Sequence, residues 1–311
     1  MISAVIPVFN EQESLDKFYL RLVAALKKLN KTYEIIFVDD GSTDSTLPIA
    51  KKIASGDKNV RILSFRINQG KAEAMTLGFQ KAKGDVVVTL DADLQDRPEE
   101  ISKLLKKLSE GWDCVSGWRK NRKDSTGKII FSKFFNLLAS TFWGTNLHDY
   151  NCGLKVYTAD AAKSLSLYGG RHRFIPLLLH EQGFLVNEMP IIHDKRKFGK
   201  SKYGISKVVK DLPDIFTMLF LSKYAKRPLH FFGAIGGLML FAGVLISAYL
   251  TILRLQGESI GGRPLLFLGI LLIVVGLQTF LTGFLADLII HISKNGKAGE
   301  RDKFNIKYSS S

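Results

Sequence analysis

The sequence predicts an α/β domain with a doubly wound, mostly parallel sheet, followed by a two-helix transmembrane hairpin. Short apolar runs alternate with helical patterns from the N-terminus to about residue 117, which is the order expected of a series of βαβ units. The runs lack the alternation of apolar and polar residues, as strands do when a parallel sheet buries both their faces. From Leu229 to Ile290 the chain is mostly hydrocarbon, so the composition itself marks a boundary.

Five strands and four connecting helices are predicted in the first part of the chain. The strands are the apolar runs at residues 4–8, 34–38, 60–65, 85–90 and 113–117, and the helices cover residues 11–29, 44–55, 70–83 and 98–110. Pro98 suits the first turn of the fourth helix, and Glu99 and Glu100 favour its positive N-terminus. We therefore expect the acidic residues from Asp96 to Glu100 to serve that helix and not a binding site.

Two apolar segments near the C-terminus are each long enough to cross a bilayer. Residues 229–253 contain no Asp, Glu, Lys or Arg, and a helix of that length exceeds the roughly 30 Å hydrocarbon core. Residues 264–290 form the second helix, and Asp287 lies near its end, where an acid costs less than at the bilayer centre. The short link makes the pair an antiparallel hairpin, and its basic flanks predict that the α/β domain and both termini lie in the cytoplasm.

Two other stretches are amphipathic. Apolar residues recur at helical spacing over residues 205–220, and the position just before the membrane anchor favours an interfacial helix there, divided by Pro213. Residues 129–143 show a similar pattern that fits an interfacial helix and a core helix equally well. The predicted organisation is an α/β domain at 1–203, an interfacial linker at 204–227, the two transmembrane helices within 228–292 and a basic tail at 293–311.

The chain is strongly basic, with a formal net charge of +15. Such a charge favours nucleic acid, an anionic membrane surface or a phosphorylated substrate as partner. No zinc-finger spacing, helix-turn-helix signal or RNP-type aromatic motif occurs, so nucleic acid is the weakest of the three. The two cysteines, Cys114 and Cys152, have no metal-ligand spacing, and we expect neither a disulfide nor a zinc site.

Polar side chains follow four consecutive predicted strands at the point where each strand ends. They are Asn10 and Glu11 after the first strand, Asp39 to Ser42 after the second, Asn68 to Lys71 after the third, and Asp91 and Asp93 after the fourth. Ligands of open α/β sheets bind beyond the carboxyl ends of the strands, so these residues should share one rim. Neither GxGxxG nor GxxxxGK[ST] occurs, which argues against a dinucleotide oxidoreductase and a P-loop NTPase.

Asp91 and Asp93 follow a buried strand two residues apart. If the chain continues in an extended form, both carboxylates point to the same side. Oxygen ligands of this kind suit Mg²⁺ or Mn²⁺ and leave coordination positions for phosphate oxygens. A DxD sequence is usually a solvated turn, but its place in phase with three other polar strand ends favours a metal site here.

Five ordered motifs resemble those of the family 2 glycosyltransferases with a GT-A fold. They are VIPVFNE, FVDDGSTD, NQGKAEA, LDADLQD and RKFGKSKYG. The chain is most similar to the branch of dolichyl-phosphate mannose synthases and bacterial undecaprenyl-phosphate glycosyltransferases. The resemblance covers about residues 1 to 225 and extends, less specifically, to the two-helix tail.

The resemblance implies a metal-dependent hexosyltransferase whose donor is a UDP- or GDP-linked sugar and whose acceptor is a polyprenyl phosphate. It implies that Pro7, Asn10, Glu11, Asp39 and Asp40 border the nucleoside, with Asp39 near a base N–H and Asp40 near a ribose hydroxyl. It also implies that Asp91, Asp93 and Gln95 surround the Mg²⁺ or Mn²⁺ that bridges the diphosphate. The remaining residues assigned to the donor are Lys71, Arg122 and Arg196.

The predicted catalytic residues are Asp93, Arg119, Asp149 and Lys202. A lipid phosphate is already an anion near neutral pH, so it needs a strong general base less than a sugar hydroxyl does, and we expect displacement with inversion at C1. Arg119 and Lys202 are assigned to phosphate groups. Asp149 is available on the acceptor side, but Cys152-Gly153 puts no carboxylate where some relatives have one, which leaves the base open.

Other functions are compatible with parts of the sequence. A glycosyltransferase acting on a sugar hydroxyl in polysaccharide synthesis would be expected to carry a QxxRW-type motif and more membrane helices. A non-catalytic nucleotide-sugar binder would not need both Asp91 and Asp93, and a lipid flippase would need more than two helices per chain. The motifs leave open the sugar, the base, the role of His193 and whether the chain forms a homo-oligomer.

Overall fold

The computed structural model describes residues 1–120, 147–194, 220, 224 and 227–296. The chain divides into two compact units, residues 1–214 and 215–311, and each is considered by itself. Both amphipathic stretches, at 129–143 and at 205–220, lie largely or wholly outside the described residues, as does most of the basic tail.

Within the described part of the first unit, seven strands form one sheet in the order β3-β2-β1-β4-β6-β5-β7. The strands are β1 (Ile2–Val8), β2 (Tyr33–Asp39), β3 (Val60–Ser64), β4 (Val86–Thr89), β5 (Cys114–Trp118), β6 (Lys155–Thr158) and β7 (Val186–Pro190). The first four strands are mutually parallel, whereas β6 runs antiparallel to both β4 and β5. The mostly parallel sheet is confirmed, and its five predicted strands are all present.

Helices cover both faces of this sheet. They are α1 (Leu15–Lys27), α2 (Thr46–Gly56), α3 (Lys71–Lys81), α4 (Ile101–Leu108), α5 (Ala159–Ser164) and α6 (Ile175–Glu181), with 3₁₀ turns at Pro98–Glu100 and Gly169–Phe174. One core layer contains residues of α1, α2 and α4, and the other contains residues of α3, α5 and α6. Because β1 and β2 lie between the layers, most of their residues are apolar on both faces.

The second unit is a helical hairpin of α7 (Pro228–Leu255) and α8 (Pro264–Gly296). Both helices are long and apolar enough to span a bilayer, and only 11% of the most apolar window of each is buried within the chain. A Cβ on Gly276 would lie 2.7 Å from the backbone nitrogen of Leu240 and 2.9 Å from the carbonyl oxygen of Gly236. Glycine therefore permits close backbone contact between the helices, as is common in membranes, and the predicted hairpin is confirmed.

Candidate active site

The loops after β1 and β2 are joined by backbone hydrogen bonds to polar side chains. Asn10 adopts a left-handed conformation with φ of 53°, and its Oδ1 accepts a hydrogen bond from the Thr43 backbone N–H at 2.9 Å. The Asn10 N–H donates to Ser42 Oγ at 3.0 Å, and the Glu11 N–H donates to Thr46 Oγ1 at 2.8 Å. The loops after β1 and β2 therefore form one connected wall of the site, beyond the carboxyl ends of these strands.

Asp39 is the last residue of β2, Asp40 follows it, and both are buried. Asp39 accepts hydrogen bonds from the backbone N–H of Ser42 at 3.2 Å and from Ser64 Oγ at 2.7 Å. Asp40 accepts from the backbone N–H groups of Gln69 at 2.7 Å and Gly70 at 3.0 Å. The two carboxylates thus hold the loops that follow β2 and β3, and their contacts with a nucleoside remain predictions.

The DxD motif follows β4 and meets the start of α3. Lys71 Nζ donates to Asp91 Oδ1 in a short ion pair. Burial by itself would raise the pKa of Asp91, but the ammonium of Lys71 outweighs it, so the pKa of this carboxyl lies below its usual value. Asp93 Oδ1 accepts from the backbone N–H of Gln95 at 3.0 Å, in a turn where Leu94 has a φ of 63°.

Gly153 lies against two carboxylates. A Cβ at this position would fall 2.9 Å from Asp91 Oδ2 and 2.5 Å from Asp96 Oδ2. Asp91 and Asp96 therefore point one oxygen each at a space that exists only because residue 153 has no side chain. This arrangement brings together residues that are more than fifty positions apart in the sequence.

The expectation that Asp96 serves the following helix is wrong. Arg97 occupies the N-cap of the 3₁₀ turn and no side chain caps it, whereas Asp96 is only 3% exposed. Its Oδ1 lies 3.1 Å from His193 Nδ1, and His193 Nε2 lies 3.4 Å from Gln95 Nε2. Pro98 does stand in the first turn, so the second half of the acidic cluster behaves as predicted.

The oxygen-bearing side chains of the segment from Asp91 to Gln95 suit a divalent cation that also binds phosphate. Among the described residues, no group of three or more His, Cys, Asp and Glu side chains is arranged to hold a metal by itself. Mg²⁺ is commonly held by one or two carboxylates together with substrate phosphates, and Asp91, Asp93 and Gln95 offer oxygen donors of that kind. The ammonium of Lys71 already occupies a cation position at Asp91.

A small pocket beside Asp91 contains two basic residues, Lys155 and His172, that were not predicted to belong to the site. It is lined by Pro7, Lys71, Met75, Thr89, Leu90, Asp91, Asn151, Cys152, Gly153, Lys155 and His172. Lys155 is 3% exposed, and its Nζ donates to the carbonyl oxygen of Cys152 in a short contact. Lys155 lies on β6, which no pattern in the sequence predicts, so no local signal marks it.

His172 is neutral near pH 7. Burial, together with the nearby charges of Lys71 and Arg173, lowers its pKa from 6.5 to about 3, although Asp91 opposes this shift. The unfolded chain therefore binds a proton at His172 between about pH 6.5 and about pH 3, whereas the folded chain does not.

We expect His172 to make the protein less stable as the pH falls through that window. The free energy of unfolding of the wild-type chain should decrease more steeply between about pH 6.5 and about pH 4 than that of His172→Asn, because only the wild type loses stability by protonating this side chain. Denaturant unfolding in detergent at several pH values measures the difference. Parallel pH curves for the two proteins would contradict it.

Arg119 and Asp149 form a buried ion pair. Arg119 Nε donates to Asp149 Oδ2 at 2.7 Å and its Nη2 donates to Asp149 Oδ1 at 3.0 Å. The two side chains are 12% and 3% exposed. Burial by itself would lower the pKa of Arg119, but the Asp149 carboxylate raises it overall. Arg119 was predicted to contact a phosphate group and Asp149 to lie on the acceptor side, and in the structure the two residues pair with each other.

Of the other predicted site residues, some lie at the site and some lie outside the part of the chain that the structure describes. Pro7 lines the pocket beside Asp91, and Asn10 and Glu11 form the wall described above. Arg122, Arg196 and Lys202 lie outside the described residues.

Comparisons with known proteins agree with this geometry. Residues 3–166 match the model of the family described as glycosyl transferase family 2. The chain is 37% identical over 294 residues to the dodecaprenyl-phosphate galacturonate synthase of Rhizobium johnstonii, and the aligned region covers 93% of this chain and 87% of the relative. It is 35% identical over 304 residues to the undecaprenyl-phosphate 4-deoxy-4-formamido-L-arabinose transferase of Serratia proteamaculans, and the aligned region covers 96% of this chain and 91% of the relative.

Solved structures share the fold. Glucosyl-3-phosphoglycerate synthase from Mycobacterium tuberculosis, in complex with Mn²⁺ and uridine-diphosphate-glucose, matches with a TM-score of 0.53 and 20% identity over 71% of this chain and 78% of that one. A mycobacterial protein matches with a TM-score of 0.56 and 19% identity, covering 71% and 74%. With its strand-end motifs, its mixed sheet and relatives that match nearly its whole length, the chain belongs to glycosyl transferase family 2.

Proposed function

We propose that this chain is a membrane-anchored, inverting glycosyltransferase that moves a hexose from a nucleotide-diphosphate sugar to a polyprenyl phosphate. The observation that carries the proposal is the convergence of Asp91, Asp96 and Gly153 beyond the carboxyl ends of the sheet. The relatives named as polyprenyl-phosphate enzymes support the acceptor, because their similarity covers 93% and 96% of this chain.

The donor lies across the ends of β1, β2 and β4 in this proposal. Asp39 and Asp40 border the nucleoside, and the loops that they hold form the sides of its pocket. Asp91, Asp93 and Gln95 would hold Mg²⁺ or Mn²⁺, and the bound ion would supply positive charge for the leaving nucleoside diphosphate. The Mn²⁺ and uridine-diphosphate-glucose of the solved synthase are consistent with such a site in this fold.

The acceptor phosphate attacks C1 of the sugar in this proposal. A phosphate oxygen forms the new bond to C1 while the bond from C1 to the diphosphate oxygen breaks, and the bonding electron pair leaves with the nucleoside diphosphate. The acceptor oxygen already carries its negative charge, so no side chain has to remove a proton. The Arg119–Asp149 pair positions the loop at residues 149–153, and Lys202 and Arg196 are proposed to contact phosphate groups.

The hairpin keeps the enzyme at the membrane where its lipid acceptor resides. The relatives and the two apolar helices support a membrane location. The proposed topology places the catalytic domain and both termini in the cytoplasm, because basic residues flank the pair of helices. The side of the membrane is testable by labelling single cysteines introduced into the link at residues 256–263.

Transfer to a lipid phosphate is the direct test of the function. The purified full chain in detergent is incubated with undecaprenyl phosphate, Mg²⁺ or Mn²⁺ and a panel of radiolabelled UDP- and GDP-sugars. We expect label in the organic phase with at least one donor, loss of that label with EDTA, and recovery when the metal is restored. Asp93→Ala should reduce transfer by about 10²-fold or more, as losses of charge-stabilising groups commonly do.

Asp16→Ala is a matched control, because it removes an exposed carboxylate on α1 outside the site. It should transfer at the wild-type rate. Label that reaches only a water-soluble polymer would favour the polysaccharide alternative. No transfer with any donor, together with identical behaviour of Asp93→Ala and wild type, would contradict an enzyme. Retention at C1, measured by NMR of the product, would contradict inversion.

A further inference from the structure

Lys71 is the first residue of α3, directly after Gly70 at its N-cap. Its ammonium pairs with Oδ1 of Asp91, while the other oxygen of Asp91 faces Gly153 and Asp96. The side chains of Lys71 and Asp91 are 33% and 38% exposed. The pair therefore stands at the open side of the pocket and not in the core.

The position of Lys71 conflicts with a fully occupied metal site at Asp91. A divalent cation on this carboxylate would lie close to the ammonium, and two like charges at short range repel strongly in a partly buried site. Asp96 and Asp93 add negative charge nearby, but Asp96 is already bonded to His193 and Asp93 to the Gln95 backbone N–H. The metal and the ammonium thus compete mainly for Asp91.

A nucleoside diphosphate offers Lys71 a second anionic partner. Lys71 lies at the N-terminus of a helix, where positive partial charge favours phosphate. The flexible four-carbon stem of a lysine allows its ammonium to move over several ångströms without a change in the backbone. Asp40 holds the loop before Lys71 by accepting a hydrogen bond from the Gly70 N–H at 3.0 Å. The Lys71 side chain can therefore move while its backbone stays in place.

We propose that Lys71 is an exchangeable counter-ion of Asp91, which it neutralises in the donor-free enzyme and leaves for the diphosphate when the donor binds. This inference rests on the proposed function and deepens it. Release of Asp91 then admits the divalent cation, so metal and donor bind with positive coupling. Coupling of this kind is reciprocal, because each ligand raises the affinity for the other by the same factor.

The test measures Mn²⁺ binding directly and does not depend on turnover. The affinity of the full chain in detergent for Mn²⁺ is determined by electron paramagnetic resonance of the free ion, with and without UDP or GDP. Without nucleotide, Lys71→Met should bind Mn²⁺ about fivefold or more tightly than wild type, the lower end of typical coupling between sites. The gain in Mn²⁺ affinity on adding nucleotide should shrink by at least the same factor.

Two further variants complete the design. Lys107→Met removes a lysine that pairs with Glu110 on the surface, so it makes the same charge change outside the site and should leave Mn²⁺ affinity at the wild-type value. Lys71→Gln provides a second neutral variant if Lys71→Met does not fold, as judged by circular dichroism.

The outcomes separate the two proposals. The exchange is overturned if the neutral Lys71 variants bind Mn²⁺ no more tightly than the wild type does, because Lys71 would then not compete with the metal. Undetectable Mn²⁺ binding in both proteins counts as the same result. An unchanged coupling factor would overturn the exchange as well. A third outcome is possible, in which Lys71→Met binds Mn²⁺ more tightly than wild type but wild type binds neither UDP nor GDP in the presence of Mn²⁺. That outcome would support the competition at Asp91 and contradict the proposed donor.

Discussion

Gly153→Ala is expected to lower the rate of sugar transfer by about 100-fold or more, since displacements near 1 Å in an active site can have effects of that size. The added methyl group would lie 2.5 Å from Asp96 Oδ2 and 2.9 Å from Asp91 Oδ2. Both distances are shorter than a carbon–oxygen contact allows, so both carboxylates or the backbone at residue 153 must move. Movement of Asp91 displaces an oxygen from the proposed metal site, and movement of Asp96 disturbs its contact with His193 beside that site.

The measurement compares transfer rate and Mn²⁺ affinity in Gly153→Ala and wild type. Gly56→Ala is the matched control, because nothing lies within 4 Å of a Cβ at that position in α2. The control should keep full activity and a stability close to that of the wild type, because Gly56 is the last residue of α2 and the preference for alanine over glycine applies to helix interiors. A Gly153→Ala enzyme with wild-type rate and metal affinity would show that the space beside Gly153 has no part in the reaction.

Asp149→Asn is expected to destabilise the folded protein by about 3–5 kcal/mol, the usual result of breaking a buried ion pair. The substitution keeps the shape of the side chain but leaves the Arg119 guanidinium, only 12% exposed, without its carboxylate. The loop that carries Asn151, whose carbonyl oxygen accepts from Arg119 Nη2 at 3.2 Å, should loosen as well. Denaturant unfolding in detergent measures the loss.

A double variant separates the charge from the packing. Arg119→Met combined with Asp149→Leu removes both charges, and it should be more stable than Asp149→Asn, because no charge remains buried without a partner. If Asp149 acted as a general base, its loss would remove the acidic limb of the pH–rate profile, where protonation of the base lowers the rate, and would leave stability nearly unchanged. We expect the opposite pattern, with a large loss of stability and the same pH dependence in the activity that remains.

The sequence predicted those features that depend on local pattern. The strand β4 is a run of apolar residues buried on both faces, and the polar groups after it lie where a parallel sheet places its ligands. The hairpin was predictable because a bilayer requires about twenty apolar residues per helix. The pairing of α7 with α8 followed from their short link, and the close approach at Gly276 fits the small residues that membrane helices use.

The acidic cluster in LDADLQDRPEE shows where local reasoning fails. Helix-end preferences account for Pro98 and Glu99, and the same reasoning extended to Asp96 was wrong. Asp96 faces Gly153 and His193 because β6 and the segment after β7 approach it from distant parts of the chain. Whether Asp96 serves the helix or the site can be decided only from the residues that lie beside it in space.

The family, the parallel half of the sheet, the two apolar helices and the carboxylates of the DxD motif could be predicted from the sequence, because each is encoded in a short stretch of residues. Which charges meet became known from the folded chain. Lys71 with Asp91, Arg119 with Asp149, and Lys155 with the Cys152 carbonyl are contacts made when strands and helices cross over in space. A charge's partner depends on three-dimensional distance, and sequence separation does not set that distance.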